Sequence, residues 1–351
     1  MRSNKNDIFF KTLIFQISLI GLLNFVIYGC NKKSVNVPAQ NSKVVNQQTA
    51  WNGDLKTVNV LPYWVANAQF AGYYVAVEMG FYEKYGIKVN IIPFEPFNTS
   101  TNLIEQGKVD FEPLWLVNAI QLRASGIDIV NIAQPSTRSS VMLITKKKSG
   151  ISTIEQMNGK KAGIWSGFDL QPRALFKKFN LDVKIIPIGS SNNLFLMDGV
   201  DITIANWFDE YHSILNSGLK QEELNVFFFA DCGLNFLEDG IYCLNERLRN
   251  DRELCVNFVK ATFEGWIYAF ENPEKAIDIV VKHAEKAKIP VNRVHQEWML
   301  DRYRDLYLME GESPFNTKLS QEDYQSIGNI LKESGLINEL PAYNDFYKPV
   351  L

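Results

Sequence analysis

NAQFAGYYVAVEMGFYEKYGIKVNIIP, residues 67–93, runs from a polar pair through an aromatic helix into an alternating strand. Phe70, Tyr74, Val77 and Phe81 recur at helical spacing over 70–81, so one face of that helix is apolar. Gly80 and Gly86 suit its end, because glycine accepts the left-handed backbone that closes a helix. Ile87-Lys88-Val89-Asn90-Ile91-Ile92 then alternates with period two, as a strand does, and Thr57-Val58-Asn59-Val60-Leu61 ahead of it reads the same way. The polar Asn67 and Gln69 therefore fall between a strand and its helix. That is where ligand clefts form in α/β proteins.

The same alternation continues outward. Residues 98–102 offer caps for a helix reaching Gly107, Val109-Asp110-Phe111 reads as a short strand, and 119–124 as a helix. Strands are predicted over 129–133 and 141–145, which makes an α/β unit with a largely parallel sheet. A second set follows, with strands at 161–165, 183–187, 201–205 and 225–230 and helices at 170–179 and 208–216. From Asp251 the pattern is mostly helical, with Pro273 placed near a helix start. Two α/β sets and a helical tail predict two lobes, 55–144 plus 241–351 and 145–240, with a ligand cleft between them.

The chain has 351 residues, 46% hydrophobic and 21% charged, enough for a sizeable core and about two domains. The net charge is −3, and Lys146-Lys147-Lys148 is the one sizeable basic run, so a nucleic-acid partner has little support. Residues 1–29 join a charged start, MRSNKNDIFFK, to the apolar TLIFQISLIGLLNFVIYG, as an export signal does. Ile27-Tyr28-Gly29-Cys30 resembles the bacterial lipobox, which implies lipidation at Cys30, with a plain membrane anchor as the alternative. Residues 31–54 are polar and lack periodicity, as a flexible tether would. The protein is then expected outside the cytoplasm, on the membrane through its lipid, facing the periplasm or cell exterior. Cys232, Cys243 and Cys255 lack metal spacing and read as free thiols, although one pair could bridge.

Ala68-Gln69-Phe70-Ala71-Gly72-Tyr73-Tyr74-Val75-Ala76, Gly80-Phe81-Tyr82, Tyr85-Gly86-Ile87, Gly107-Lys108-Val109-Asp110 and Asn158-Gly159-Lys160-Lys161-Ala162-Gly163 together resemble a known family. It includes bacterial binding proteins for alkanesulfonates, taurine, nitrate, riboflavin and thiamine-pyrimidine precursors, and also the thiamine pyrimidine synthase. The likeness spans roughly 55–280. It implies the type II periplasmic-binding-protein fold, two α/β lobes hinged around a solute, and an ABC permease as partner. The synthase would need a lysine for pyridoxal phosphate and a histidine where this chain has Leu114 and Asn118, and a cysteine-dense stretch where it has isolated Cys232 and Cys243. Leucine forms no Schiff base, so binding without chemistry, cofactor or metal is the expectation. Neither a phosphate-binding loop nor a zinc-protease motif is present, and His212, His283 and His295 lack ligand spacing and read as surface or packing residues.

Strand ends supply candidate ligand groups. Trp64, Asn67 and Gln69 follow the first strand, and Glu112, Trp115 and Asn118 follow the strand at 109–111. Arg138 precedes the strand at 141–145; Trp165, Ser166 and Asp169 follow 161–165; Trp207 and Glu210 follow 201–205; Asp231 follows 225–230. Four tryptophans at such ends favour a stacking site over plain core filling. The carboxylates suit a neutral or cationic heteroaromatic solute, whereas an anion would turn to Arg138 and the Ser139-Ser140 pair. A lipid-anchored solute-binding component of an ABC importer is the reading that results, with a tethered sensor and a synthase-like enzyme as alternatives.

Overall fold

The structure is a computed structural model, and it describes residues 51–94, 100–308, 315 and 318–351. The export signal, Cys30, most of the tether and the caps at 98–99 lie outside the described residues. Among the described residues ten strands form, β1 Lys56–Val60, β2 Ile87–Ile91, β3 Glu112–Leu114, β4 Ile129–Ala133, β5 Val141–Lys146, β6 Lys161–Trp165, β7 Lys184–Ile188, β8 Ile202–Asn206, β9 Leu224–Phe228 and β10 Gly240–Leu244. The helices between and after them are α1 Ala71–Glu78, α2 Phe81–Lys84, α3 Ser100–Glu105, α4 Leu116–Ala124, α5 Leu170–Lys178, α6 Asn193–Leu196 and α7 Glu210–Asn216. The tail supplies α8 Asn245–Asn250, α9 Arg252–Glu271, α10 Pro273–Lys286, α11 Arg293–Tyr307, α12 Gln321–Glu333 and α13 Tyr343–Phe346.

The strands form three sheets, a parallel pair β1-β2, a three-stranded β3-β10-β4 and a five-stranded β7-β6-β8-β5-β9. The expected parallel character holds for β6 with β7 and β8. It fails at β10, antiparallel to both its neighbours, and at β5, antiparallel to β8 and β9. Both exceptions follow from topology. β5 and β10 are the strands on which the chain has just passed from one sheet to another, so neither is fed by a right-handed crossover helix from its neighbour.

Two boundaries moved for local reasons. The strand expected at 109–111 forms instead at Glu112–Leu114, and Phe111 makes only a bridge to Val60. The Asp110 carboxylate accepts the Asn59 N–H at 2.8 Å and pairs with Arg247, which ties that residue to neighbouring segments. Pro113 is tolerated because β3 is an edge strand, paired only with β10. The helix expected over 70–81 breaks into α1 and α2 at Gly80, whose φ of 72° is left-handed. Phe70 lies before it, in a 3₁₀ turn over Ala68–Phe70.

The core crosses these boundaries. One cluster joins α1, α9, α10 and α11 through Tyr74, Phe258, Ile277 and Tyr303. Another joins β3, α4 and β4 to the five-stranded sheet, with Leu114, Ile120, Val141, Ile164 and Phe229 among its members. α12 and α13 belong to it through Tyr324, Leu331 and Phe346. Cys243 and Cys255 are buried and Cys232 partly so; all three are free thiols.

Candidate functional site

The loop after β1 and the residues before β10 meet at one phenol. Tyr63 donates from its hydroxyl to Asp239 Oδ1 at 2.6 Å, and the Tyr63 hydroxyl oxygen itself accepts from Trp115 Nε1 at 2.9 Å and from Gln69 Nε2. Tyr303, from α11, donates to the other carboxylate oxygen of Asp239 at 3.0 Å. Phe70 stands edge-on to the Tyr63 ring at 5.4 Å and fixes its plane. Two segments distant in sequence, the 63–69 loop and α11, thus bond one buried carboxylate, and Trp115 joins them through the Tyr63 hydroxyl. Asp239 has a φ of 60°, a left-handed conformation that aspartate tolerates better than most side chains.

Its neighbour Glu238 is held separately. Ser139 Oγ donates to it at 2.8 Å, and the Ser140 N–H lies 3.2 Å from both its oxygens. Ser140 Oγ also reaches Asn206 Oδ1 at 3.2 Å. Burial pushes the Asp239 carboxyl up to about 6, opposed by the hydrogen bonds from Tyr63, Tyr303 and Gln69. Burial raises Glu238 further, to about 8; the Ser139 hydroxyl opposes this and the Asp239 charge adds to it. Two adjacent acids are thereby separated, Glu238 neutral and Asp239 mostly ionised near pH 7.

The sequence-derived candidates distribute unevenly around this centre. Gln69 and Trp115 are part of it. Asn67 is structural, since its side chain accepts the Gln69 N–H at 3.0 Å and caps the 3₁₀ turn. Trp115 also meets Phe168 edge-on at 5.6 Å, and Trp165 meets the same ring from another side at 5.9 Å. Phe168 is 43% exposed, so a partly open aromatic wall connects β3 with the end of β6. Glu112 is fully buried within β3, opposite Tyr242. Asn118 is exposed on α4, and Trp64, 47% exposed, leans on Phe94 at 5.5 Å. Ser166 bonds to the Ile188 carbonyl and Asp169 to Arg173, one helical turn away.

Arg138 and Asp231 find each other, at 2.7 Å, with the guanidinium also over the Phe228 ring. The cation proposed for an anionic ligand is therefore already neutralised by a carboxylate. Trp207 stands apart from the Tyr63 centre. Arg302 lies 4.9 Å over its ring, and its carbonyl accepts from Trp298 Nε1 at 3.1 Å. Glu210 accepts the Asn206 N–H at 2.9 Å; burial, then the charge of Asp209, raises its carboxyl to about 8.

Sequence reading missed Tyr63, Glu238, Asp239 and Tyr303. Tyr63 carried a usable signal, since it lies on a predicted connection just after a predicted strand, whereas the Glu238-Asp239 pair precedes β10, a strand the sequence reading did not identify. Tyr303 carried none, because helix-packing tyrosines look the same in sequence. Among the described residues no group of three or more metal-ligating side chains gathers.

Residues 67–276, more than half of the chain, match the family described as NMT1/THI5 like. The chain is 22% identical to the riboflavin-binding protein RibY of Chloroflexus aurantiacus over 76% of this chain and 78% of that protein. It is 24% identical to the 4-amino-5-hydroxymethyl-2-methylpyrimidine phosphate synthase of Legionella pneumophila over 67% of this chain and 76% of that enzyme. Among solved structures, the periplasmic sulfonate-binding protein SsuA of Methylobacillus flagellatus superposes with a TM-score of 0.64 at 21% identity, covering 84% of this chain and 92% of that one. That likeness establishes the periplasmic-binding-protein fold.

Proposed function

The chain belongs to the NMT1/THI5-like family, and from that premise we propose that it is the solute-binding component of an ABC importer for a small, neutral or cationic heteroaromatic compound, of the kind of a thiamine pyrimidine precursor. The observation that carries this reading is the Tyr63–Asp239–Tyr303 centre with Trp115 and Gln69 around it. A carboxylate ionised at neutral pH accepts from ring N–H or exocyclic amine donors, and an indole beside it offers a flat face. An anion would be repelled by Asp239, and the nearby Arg138 is occupied by Asp231.

Binding is favoured over catalysis because Leu114 ends the buried strand β3 and Asn118 stands exposed on α4, in place of a Schiff-base lysine and a histidine. In this reading the lobes are 55–144 with 241–351 and 145–240, the chain passing between them near residue 145 and again near 241–244, and solute stabilises their closed arrangement. Lipid attached to Cys30 would keep the protein at the membrane beside its permease.

The test is thermal shift with native mass spectrometry against aminopyrimidines, riboflavin, taurine and nitrate. A bound heteroaromatic at 100 times its Kd adds about 2.7 kcal/mol of stability. Asp239→Asn should weaken that binding by roughly 10- to 100-fold, since hydrogen bonds to a charged group are worth about 1.5–3 kcal/mol. Shifts with taurine or nitrate alone would overturn the reading. A Schiff-base absorbance on adding pyridoxal phosphate would move the protein to the enzyme side of its family.

A further inference from the structure

Two of the three histidines that the sequence leaves without a role meet in space. His212, on α7, and His295, on α11, face each other with their Nδ1 atoms 2.8 Å apart and their rings within 15° of parallel. His295 Nε2 is 2.9 Å from Asp209 Oδ1, and His212 stacks on Trp298 at 4.7 Å and 3°. Arg302 lies over Trp298 and Trp207 together, at 4.7 and 4.9 Å. α7 follows β8 of the five-stranded sheet, whereas α11 packs against α10 and the 68–70 turn. α11 also supplies Tyr303 to Asp239, and Gln296 to the Ala68 N–H at 2.7 Å. α7 thus meets, across the histidine pair, a helix that also contributes to the candidate site.

We infer that His212 and His295 form a pH-sensitive latch between α7 and α11, closed near neutral pH and released in acid. Proton counting carries the argument. With His295 Nε2–H directed at Asp209, a neutral His295 has a bare Nδ1, which accepts the Nδ1–H of His212. The pair tolerates one added proton, on His212 Nε2. A second must go on His295 Nδ1, which would set two N–H groups head to head at 2.8 Å. The latched pair therefore holds at least one proton fewer than two separated imidazolium rings.

The charged and titratable neighbours are Asp209 and Glu210 on the α7 side and Arg302 on α11. Asp209 favours one positive charge on the pair. Burial, then His295, lowers the His212 pKa, with Asp209 opposing. Because the latched pair binds fewer protons than the released rings, latching is favoured above the free histidine pKa of about 6.5 and loses that preference as pH falls below it. Each pH unit in that window shifts the latched-to-released ratio by up to about tenfold per proton.

The latch rests on this geometry, and its role as regulator of solute binding rests on the proposed function. Asp239 titrates in the same range, so solute affinity alone would not isolate the latch. The experiment is small-angle scattering on the ligand-free chain at pH 8 and pH 5, beside ring-nitrogen NMR of the histidines. The expected result is a larger radius of gyration at pH 5, with His212 and His295 titrating as a coupled pair in two steps. His212→Phe, which keeps a flat ring on Trp298, and His295→Gln should each remove the pH dependence of size. Equal size at both pH values, pH dependence surviving in folded variants, or two independent single-step titrations would each overturn the latch. If the variants do not fold, the wild-type NMR titration decides. A latch that responds to pH in a protein that binds no heteroaromatic would remove the proposed solute and leave the latch standing.

Discussion

Asn67 and Gln69 stand two residues apart, and the structure gives them different roles: one caps a 3₁₀ turn, the other reaches the Tyr63 hydroxyl. Both were legible as cleft-side residues from their place between a strand and a helix. Their roles were not, because the partners of Gln69 come from residues 63 and 239. Glu238 shows the same limit, as an acid in a predicted connection that turns out fully desolvated. Its raised pKa has a stability consequence of definite sign. The folded state binds a proton that the unfolded state releases, so stability falls as pH rises from about 4.5 towards about 8. Glu238→Gln keeps an acceptor for Ser139 and removes the titration. We expect urea unfolding at pH 5 and pH 8 to differ less in the variant, with a gain at pH 8 of up to about 1.4 kcal/mol per unit of pKa shift. A wild-type stability flat between those pH values would refute this account of the buried acid.

At the scale of elements, alternation and short apolar runs located most strands, and β4 and β6 match their predicted ranges although β4 is buried along its whole length. Periodicity says nothing about which helix pairs approach closely. α1 and α9 do so through glycines: a Cβ on Gly72 would fall 2.3 Å from Trp266 Cγ, and one on Gly265 would fall 2.1 Å from the Gly72 carbonyl oxygen. Gly72 lies inside the aromatic stretch that opens the fold, where its purpose is to let the Trp266 indole lie against the α1 backbone. Alanine is worth about 1 kcal/mol more than glycine in a helix interior, but here the backbone would have to move. Gly265→Ala is expected to cost about 1–3 kcal/mol net through overpacking, measured as a lower urea midpoint at unchanged slope. A raised midpoint would mean that α1 and α9 separate easily, and that the contact does not fix their spacing.

On the scale of the whole molecule, two α/β sets followed by a helical tail could be read from the order of elements alone, while the tail's function in packing could not. Its likeness to the family is loose, yet α12 and α13 share a core cluster with both larger sheets. Lys177 of α5 pairs with Glu333 of α12 at 2.7 Å, and Asn235, between the sheets, reaches Asp323 at 3.1 Å. Surface pairs like the first contribute little, so it is the shared apolar cluster that couples the parts. In that cluster Val141 and Phe229 begin and end the five-stranded sheet's excursion, and Leu114 and Tyr242 belong to the three-stranded one. No set of strands can lose its packing without exposing the face of another. Ligand-free protein should therefore unfold in urea as one transition, with tryptophan fluorescence and far-ultraviolet circular dichroism coincident. The probes are well placed for this, since Trp165 and Trp207 follow strands of the five-stranded sheet while Trp115 and Trp266 lie on the other side. Two separated transitions would show that the lobes fold independently and that closure by solute joins units otherwise uncoupled. One transition means that solute acts on a molecule already cooperative, with the hinge bending within a continuous core.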